Sequence, residues 1–229
     1  MYREGMAVTP KAESSPDVPV PKGRGRRGAR PSGDDRERAI LETAERLLDE
    51  RPLSEISVDD LARGAGISRP TFYFYFPSKD AVVLTIVERL VADAGGSREE
   101  ITTALAEEGP RAGLRVGLEN LYAAFRARPG VVRAGTDLRT TNQEARDVWA
   151  GVMERWVADV TAVIEFERAR GVAPPGQPAR DLAIALVQMN ERAQYATLLG
   201  EQPSIEADRV LDVLIDVWLR AIYGTAEPG

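Results

Sequence analysis

The feature that most constrains this chain is a helical spacing of apolar residues that runs almost without interruption from Asp34 towards the C-terminus. Ala39, Ile40, Thr43, Ala44, Leu47 and Leu48 recur at intervals of three and four, so they share one face of a helix. No stretch alternates convincingly with period two, which leaves no candidate strand, and no internal repeat is apparent. The expected fold class is therefore all-α. Helix ends are legible as well. Asp34-Asp35 suits a helix start, Pro52 a stop, Ser57-Val58-Asp59-Asp60 a capping box, Ser68 and Ser78 further N-caps. Beyond the Gly95-Gly96 break the pattern predicts helices near 98–107, 112–127, 141–170, 179–199 and 205–223. Their stops are Gly109-Pro110, Pro129-Gly130, Pro174-Pro175-Gly176, and Gly200 followed by Pro203.

Composition removes whole classes of function. The 229 residues include no cysteine and no histidine. Disulfides, Cys/His zinc sites, thiol nucleophiles and imidazole bases are thereby excluded, and Ser-His-Asp hydrolysis with them. Carboxylate-only chemistry and oxygen-ligand binding of magnesium or calcium survive the exclusion, but no metal site and no cofactor is implied. Charges interrupt every apolar run before the ~18 residues of a membrane span, and no signal-like apolar segment opens the chain. A cytoplasmic protein is the expectation.

The net charge of −6 argues, as an average, against a protein that coats nucleic acid. The average conceals an asymmetry. Residues 1–33 hold seven basic and three acidic groups, net +4, with Lys22, Arg24, Arg26, Arg27 and Arg30 uninterrupted by an acid. Rich in Pro, Gly, Ser and Arg, this segment reads as a disordered basic arm that can add phosphate or minor-groove contacts; the alternative is a plain solvated tail. The expected organisation is thus an arm over 1–33, a DNA-binding head over 34–80 and a helical body over 81–229.

Within the head, SVDDLARGAGISRPTFYFYFPSK at 57–79 has the form of two short helices joined by a glycine-containing turn, a helix-turn-helix. Ala62 and Ala65 are small where the helices touch, and Gly66 can take the positive φ that the turn demands. Phe72 and Phe76 share the inward face, which turns Arg69, Pro70, Thr71, Tyr73 and Phe74 outward. From Leu61 to Lys79 there are three basic residues and no acid, the local relief that a surface approaching phosphates needs. Tyr73, Tyr75 and Lys79 can donate to phosphate oxygens, Pro70, Thr71 and Phe74 can meet thymine methyls, and Arg69 can reach a guanine edge. An ordinary αα-hairpin with surface aromatics is the competing reading.

The run A-x-x-A-G-I-S-x-x-x-F-Y-x-Y-F-x-x-K, from Ala62 to Lys79, resembles the DNA-binding signature of TetR-type transcriptional regulators. Further stretches, ARPSGDDRE at 29–37, Met189 to Arg192 and Gly200 to Ser204, are similar to the EthR subgroup. The resemblance implies a dimeric repressor: a three-helix head, a ligand-responsive body, Tyr73, Tyr75 and Lys79 on the DNA backbone, and Ser68, Pro70 and Thr71 at the start of the recognition helix.

In the body, Trp149, Met153, Trp156, Val160, Val163 and Ile164 form one helical stripe, and Leu182, Leu186, Met189, Asn190 and Ala193 another. An amide in an apolar face must find a partner, either a backbone group or water, or a ligand for which it is the polar anchor. Plain core is the competing reading of the stripes. The resemblance implies that Phe125, Trp149, Met153, Trp156, Asn190, Tyr195 and Trp218 line an elongated apolar channel. This chain departs from the subgroup at Leu114 and Leu121, where the subgroup has aromatic rings, at Val187 in place of an amide, and at Asp159 and Val160 in place of Tyr- and Thr-type groups. A channel here would be less aromatic, with fewer polar anchors.

The last helix is apolar over far more than one stripe, leaving Arg209, Asp212, Asp216 and Arg220 as a narrow charged edge. Two apolar sides need two partners: the chain's own core, and either more of that core or a second copy paired through the two C-terminal helices. The expected function is a repressor that holds double-stranded operator DNA as a homodimer and is released by a hydrophobic small-molecule effector. Its rival is a constitutive architectural DNA binder. A carboxylate enzyme built on Asp159, Glu165 and Glu167 fails, because the two glutamates diverge on one helix.

Overall fold

Ser32 opens the first helix by capping it. Its hydroxyl accepts from the Asp35 amide at 3.1 Å, while the Asp35 carboxylate accepts from the Ser32 amide at 2.9 Å, a reciprocal capping box. The computed structural model describes residues 32–94 and 98–228. Arg24, Arg26, Arg27 and Arg30 lie outside the described residues, whereas Ser32 and Gly33, read from sequence as part of the arm, belong to the start of α1.

Helix α1 spans Gly33–Glu50, followed by a 3₁₀ turn at Leu53–Glu55, α2 at Val58–Gly64, α3 at Arg69–Tyr75 and α4 at Lys79–Ala94. Then come α5 (Arg98–Glu107), α6 (Pro110–Arg126), α7 (Pro129–Thr141), α8 (Gln143–Ala169), α9 (Ala179–Leu199) and α10 (Val210–Tyr223). Among the described residues there is no strand, as the helical period requires. The caps at Ser57, Ser68 and Ser78 all form: their hydroxyls accept from the amides of Asp60, Thr71 and Ala81.

Three departures from the expected elements have local causes. Helix α7 was not anticipated, because Pro129-Gly130 reads as a stop. Instead Pro129 occupies the first turn of a new helix, where its missing N–H costs nothing. The helix expected over 141–170 begins at Gln143, since the Asn142 side chain caps it by accepting from the Ala145 amide at 3.2 Å. The last helix starts at Val210 and not at 205; Ile205 is held in the preceding loop, its carbonyl accepting from the Thr197 hydroxyl at 2.8 Å.

Two buried clusters organise the packing. One joins α1–α4 to α7 and includes Ile40, Leu61, Phe72, Ile86, Val131 and Leu138. The other joins α9 and α10 to parts of α6 and α8, through Leu118, Ile164, Leu186, Leu214, Ile215 and Leu219. Helix α4 runs without a break from the Ser78 cap beside the helix-turn-helix into contact with α6, α7 and α8. Helix α7 lies against both α1 and α4. Its approach to α1 is backbone to backbone: a Cβ at Gly130 would sit 2.4 Å from the Leu48 carbonyl oxygen. The charged edge of α10 is a seam with α6, where Arg111 pairs with Asp216 and Arg115 with Asp212, each at 2.5 Å.

Candidate DNA-binding surface and ligand cavity

The turn between α2 and α3 is set by Gly66 at φ +67°. Ile67 N–H donates to the Ala62 carbonyl and Gly66 N–H to the Arg63 carbonyl. Those are the two bonds of a Schellman closure, which needs a left-handed residue at this point. Phe72 is fully buried and Phe76 nearly so, their ring centroids 6.2 Å apart. The opposite side of α3 is correspondingly bare. Phe74 is 84% exposed and Tyr73 46%, and Ser68, Arg69 and Pro70 are exposed with them. Tyr75 is half-buried, edge-on to Phe74 at 5.3 Å. The Thr71 hydroxyl is engaged with the Ser68 hydroxyl at 2.8 Å.

Two cations of this surface are less available than the sequence suggests. Arg69 donates to Asp59 at 3.1 Å and to the Tyr73 hydroxyl at 3.4 Å. The acid-free window from Leu61 to Lys79 is acid-free in sequence only, because the turn brings Asp59 of α2 alongside α3. Lys79 Nζ donates to the carbonyls of Leu53 and Ile56, at 2.6 and 2.8 Å. It therefore clips the 3₁₀ turn to the start of α4 and has one of its three protons left for DNA.

In the body, α5, α6, α8, α9 and α10 enclose a cavity of about 590 Å³. Its walls are Ile101 and Leu105 from α5, Leu114, Leu118 and Leu121 from α6, and Trp156, Val160 and Val163 from α8. Val187 and Asn190 of α9, Trp218, Ile222 and Tyr223 of α10, and Val91 and Ala92 of α4 add to them, with Arg155, Asp159 and Glu191 as the charged part of a mainly apolar lining. Asn190 is 5% exposed and Trp218 likewise 5%. Asn190 Oδ1 and Trp218 Nε1 find no hydrogen-bond partner among the described residues. A buried acceptor and a buried donor thus stand unpaired on the walls of one apolar cavity, each costing about 1–3 kcal/mol unless an occupant meets it. Burial, and then the neighbouring Glu167 carboxylate at 3.3 Å, push the Tyr223 hydroxyl well above the ordinary tyrosine range.

The residues grouped from sequence into one channel divide between two spaces. Leu114, Leu121, Trp156, Val160, Asn190 and Trp218 line the large cavity. Phe125, Trp149 and Tyr195 line a separate space of about 40 Å³ between α4, α7 and α8, with Leu84, Val87 and Leu90 of α4 on its wall. Met153 lines neither and packs against the C-terminal core; Ile164 is fully buried in that core. Burial raises the Tyr195 hydroxyl above its ordinary value. Helix α8 passes both spaces, so one face of it meets different neighbours along its 27 residues. Ile101, Leu105 and Tyr223 were missed, and so were Thr136, Arg139 and Glu191 of the smaller space. For α7 a signal existed: Val131, Ala134 and Leu138 recur at helical spacing behind Pro129.

Residues 40–86 match the family model of bacterial regulatory proteins of the tetR family, and residues 114–224 the C-terminal domain of the transcriptional regulator EthR. The chain is 49% identical over 217 residues to the HTH-type transcriptional regulator EthR of Mycobacterium tuberculosis H37Rv, covering 95% of this chain and 99% of that one. The chain belongs to the TetR family. To the EthR of Mycolicibacterium smegmatis it is 48% identical over 206 residues, 90% of this chain and 94% of the relative. Among solved structures, a TetR transcription regulator from Haloarcula marismortui superposes with a TM-score of 0.66 at 17% identity, over 84% of this chain and 98% of that one. The Thermus thermophilus FadR repressor, solved with lauroyl-CoA, gives 0.60 at 20% identity over 81% and 94%. This TetR-family member is a helix-turn-helix transcriptional regulator of the EthR type. No helix among the described residues is long and apolar enough to cross a membrane.

Proposed function

We propose that this repressor holds its operator as a homodimer in the cytoplasm and lets go when an elongated, mostly apolar molecule fills the cavity between α5, α6, α8, α9 and α10. The observation that carries the reading is the pair of unpartnered buried atoms, Asn190 Oδ1 and Trp218 Nε1, on the walls of a 590 Å³ apolar space. That volume lies within the range of small-molecule sites, and such sites combine apolar walls with a few placed polar groups. A ligand carrying both a donor and an acceptor satisfies both atoms.

In this reading the chain works as an arm ahead of Ser32, a head from Ser32 through residue 80 and a body over 81–229. Exposed Phe74 and Pro70, with Thr71, meet base edges, Ser68 caps the recognition helix beside them, Tyr73 and Tyr75 hold phosphates, and Arg69 joins them by exchanging Asp59 for DNA. Arg24, Arg26, Arg27 and Arg30 of the arm add further phosphate contacts. Pairing of two copies through α9 and α10 is supported by the exposed row Val213, Val217 and Ala221, which repeats every four residues along α10. A dimer of this kind sets two heads on two half-sites. Ligand that prefers a different spacing of the heads lowers operator affinity by its differential affinity for the two arrangements.

The test is a titration of the full chain, bound to the DNA upstream of its own gene, with a panel of hydrophobic amides and esters. A compound that raises the unfolding temperature and releases the DNA supports the proposal. Stabilisation without release leaves the cavity but removes the allosteric mechanism, in favour of a constitutive DNA binder.

A further inference from the structure

The large cavity and the small space beside α4 meet at two residues common to both linings, Val91 and Glu191. Glu191 is held there. Arg139 Nη1 and Nη2 both donate to its Oε1, at 3.1 and 3.2 Å, and Nη2 also donates to the Thr136 hydroxyl at 3.1 Å. The guanidinium carbon lies 4.5 Å from the centroid of the Trp149 ring, close enough for a cation–π contact. Both members of the pair are about one-fifth exposed. Such a bond is stronger than a surface pair, because little water competes for it and its geometry is fixed by a third and a fourth group. On its far side the small space is apolar, walled by Leu84, Val87 and Leu90 of α4 with Phe125 and Trp149. At about 40 Å³ it admits no more than a water-sized group as it stands.

From this juxtaposition we infer that the Arg139–Glu191 pair sets the length of ligand that the regulator accepts. Ligand grows through the large cavity until its tail reaches Glu191. To grow further, it must part the pair and enter the space against α4. The inference rests on the cavity being the effector site. Its content beyond that reading is that Glu191 discriminates by chain length and does so without serving as the polar anchor, a part that falls to Asn190. The discrimination is made at a part-buried polar contact, where breaking an ion pair opposes the gain from burying more methylenes.

A homologous series of straight-chain primary amides, from about six to about sixteen carbons, tests it by competition with an environment-sensitive dye. In an open apolar channel each added methylene tightens binding about fourfold. The native protein should follow that slope until the large cavity is full, and then flatten. Glu191→Ala should carry the slope through several further methylenes, with Glu191→Gln, which keeps the shape and removes the charge, moving the plateau in the same direction. Arg139→Gln serves as the matching variant should Glu191→Ala fail to fold. A plateau at the same chain length in all folded variants overturns the inference while leaving the effector site intact. Absence of binding by the native protein at every length overturns the site reading and the inference with it.

Discussion

Lys79→Met separates two roles that one ammonium can play, a clip inside the head and a hand on the DNA backbone. Its Nζ bonds the Leu53 and Ile56 carbonyls at 2.6 and 2.8 Å from a half-buried position. Methionine keeps most of the stem and removes both donors. Hydrogen bonds from a charged group contribute about 1.5–3 kcal/mol each, and the exposed part of this site lets water replace some of that. Leu53 O also retains its bond from the Ile56 amide at 3.1 Å, so Ile56 O bears most of the loss. The expected cost is about 2–3 kcal/mol. Urea unfolding at fixed protein concentration reads it as a midpoint about 1 M lower with an unchanged slope. The same variant, bound to DNA over a range of salt, should keep its log–log salt slope, since loss of a direct phosphate contact would flatten that slope by ~0.9. An unchanged urea midpoint refutes the clip; a flattened slope with it assigns Lys79 to the phosphates.

Three further outcomes follow from the same geometry. Asp59→Asn releases Arg69 from its partner, so DNA binding should tighten and its salt slope steepen by up to ~0.9, while stability moves by less than ~1 kcal/mol because the pair is exposed; a salt slope equal to the native one counts against Arg69 as a DNA contact. Gly130→Ala places a methyl against the Leu48 backbone, which cannot yield as a side chain does; a loss of about 2–3 kcal/mol in thermal or urea unfolding is expected, and a neutral substitution would show that α1 and α7 are not so closely apposed. Because burial and Glu167 raise the Tyr223 hydroxyl, the folded chain keeps that proton at pH values where the unfolded chain loses it. Its stabilising share is complete below about pH 10 and falls as the pH rises beyond. Tyr223→Phe should therefore lose less stability than the native protein between about pH 10 and 11, and parallel declines would exclude the linkage.

Local order was written in local residues. The caps at Ser57, Ser68 and Ser78, the Gly66 turn and the inward turn of Phe72 and Phe76 each depend on side chains a few positions apart, and short-range spacing reports them faithfully. The outward face of α3 followed, because it is the complement of the buried one. Helix α7 was hidden by Pro129-Gly130, which serves equally as the end of one helix or the start of the next. What the sequence pattern left open in the body was which stripe meets which. Met153 and Trp156 share a face and both pack against the C-terminal core, yet only Trp156 of the two also reaches the cavity.

By itself, the sequence determined the helical class, the reading head and the absence of thiol and imidazole chemistry, because period, caps and composition are properties of neighbours along the chain. Tertiary structure alone decided which charges are free and which are engaged. Asp59 neutralises Arg69, Lys79 turns inward to two carbonyls, and Arg139 crosses from α7 to Glu191 on α9. Each partner comes from another element, ten to fifty-two positions away. Ion pairing and cavity shape are matters of distance in space, and no local period encodes them.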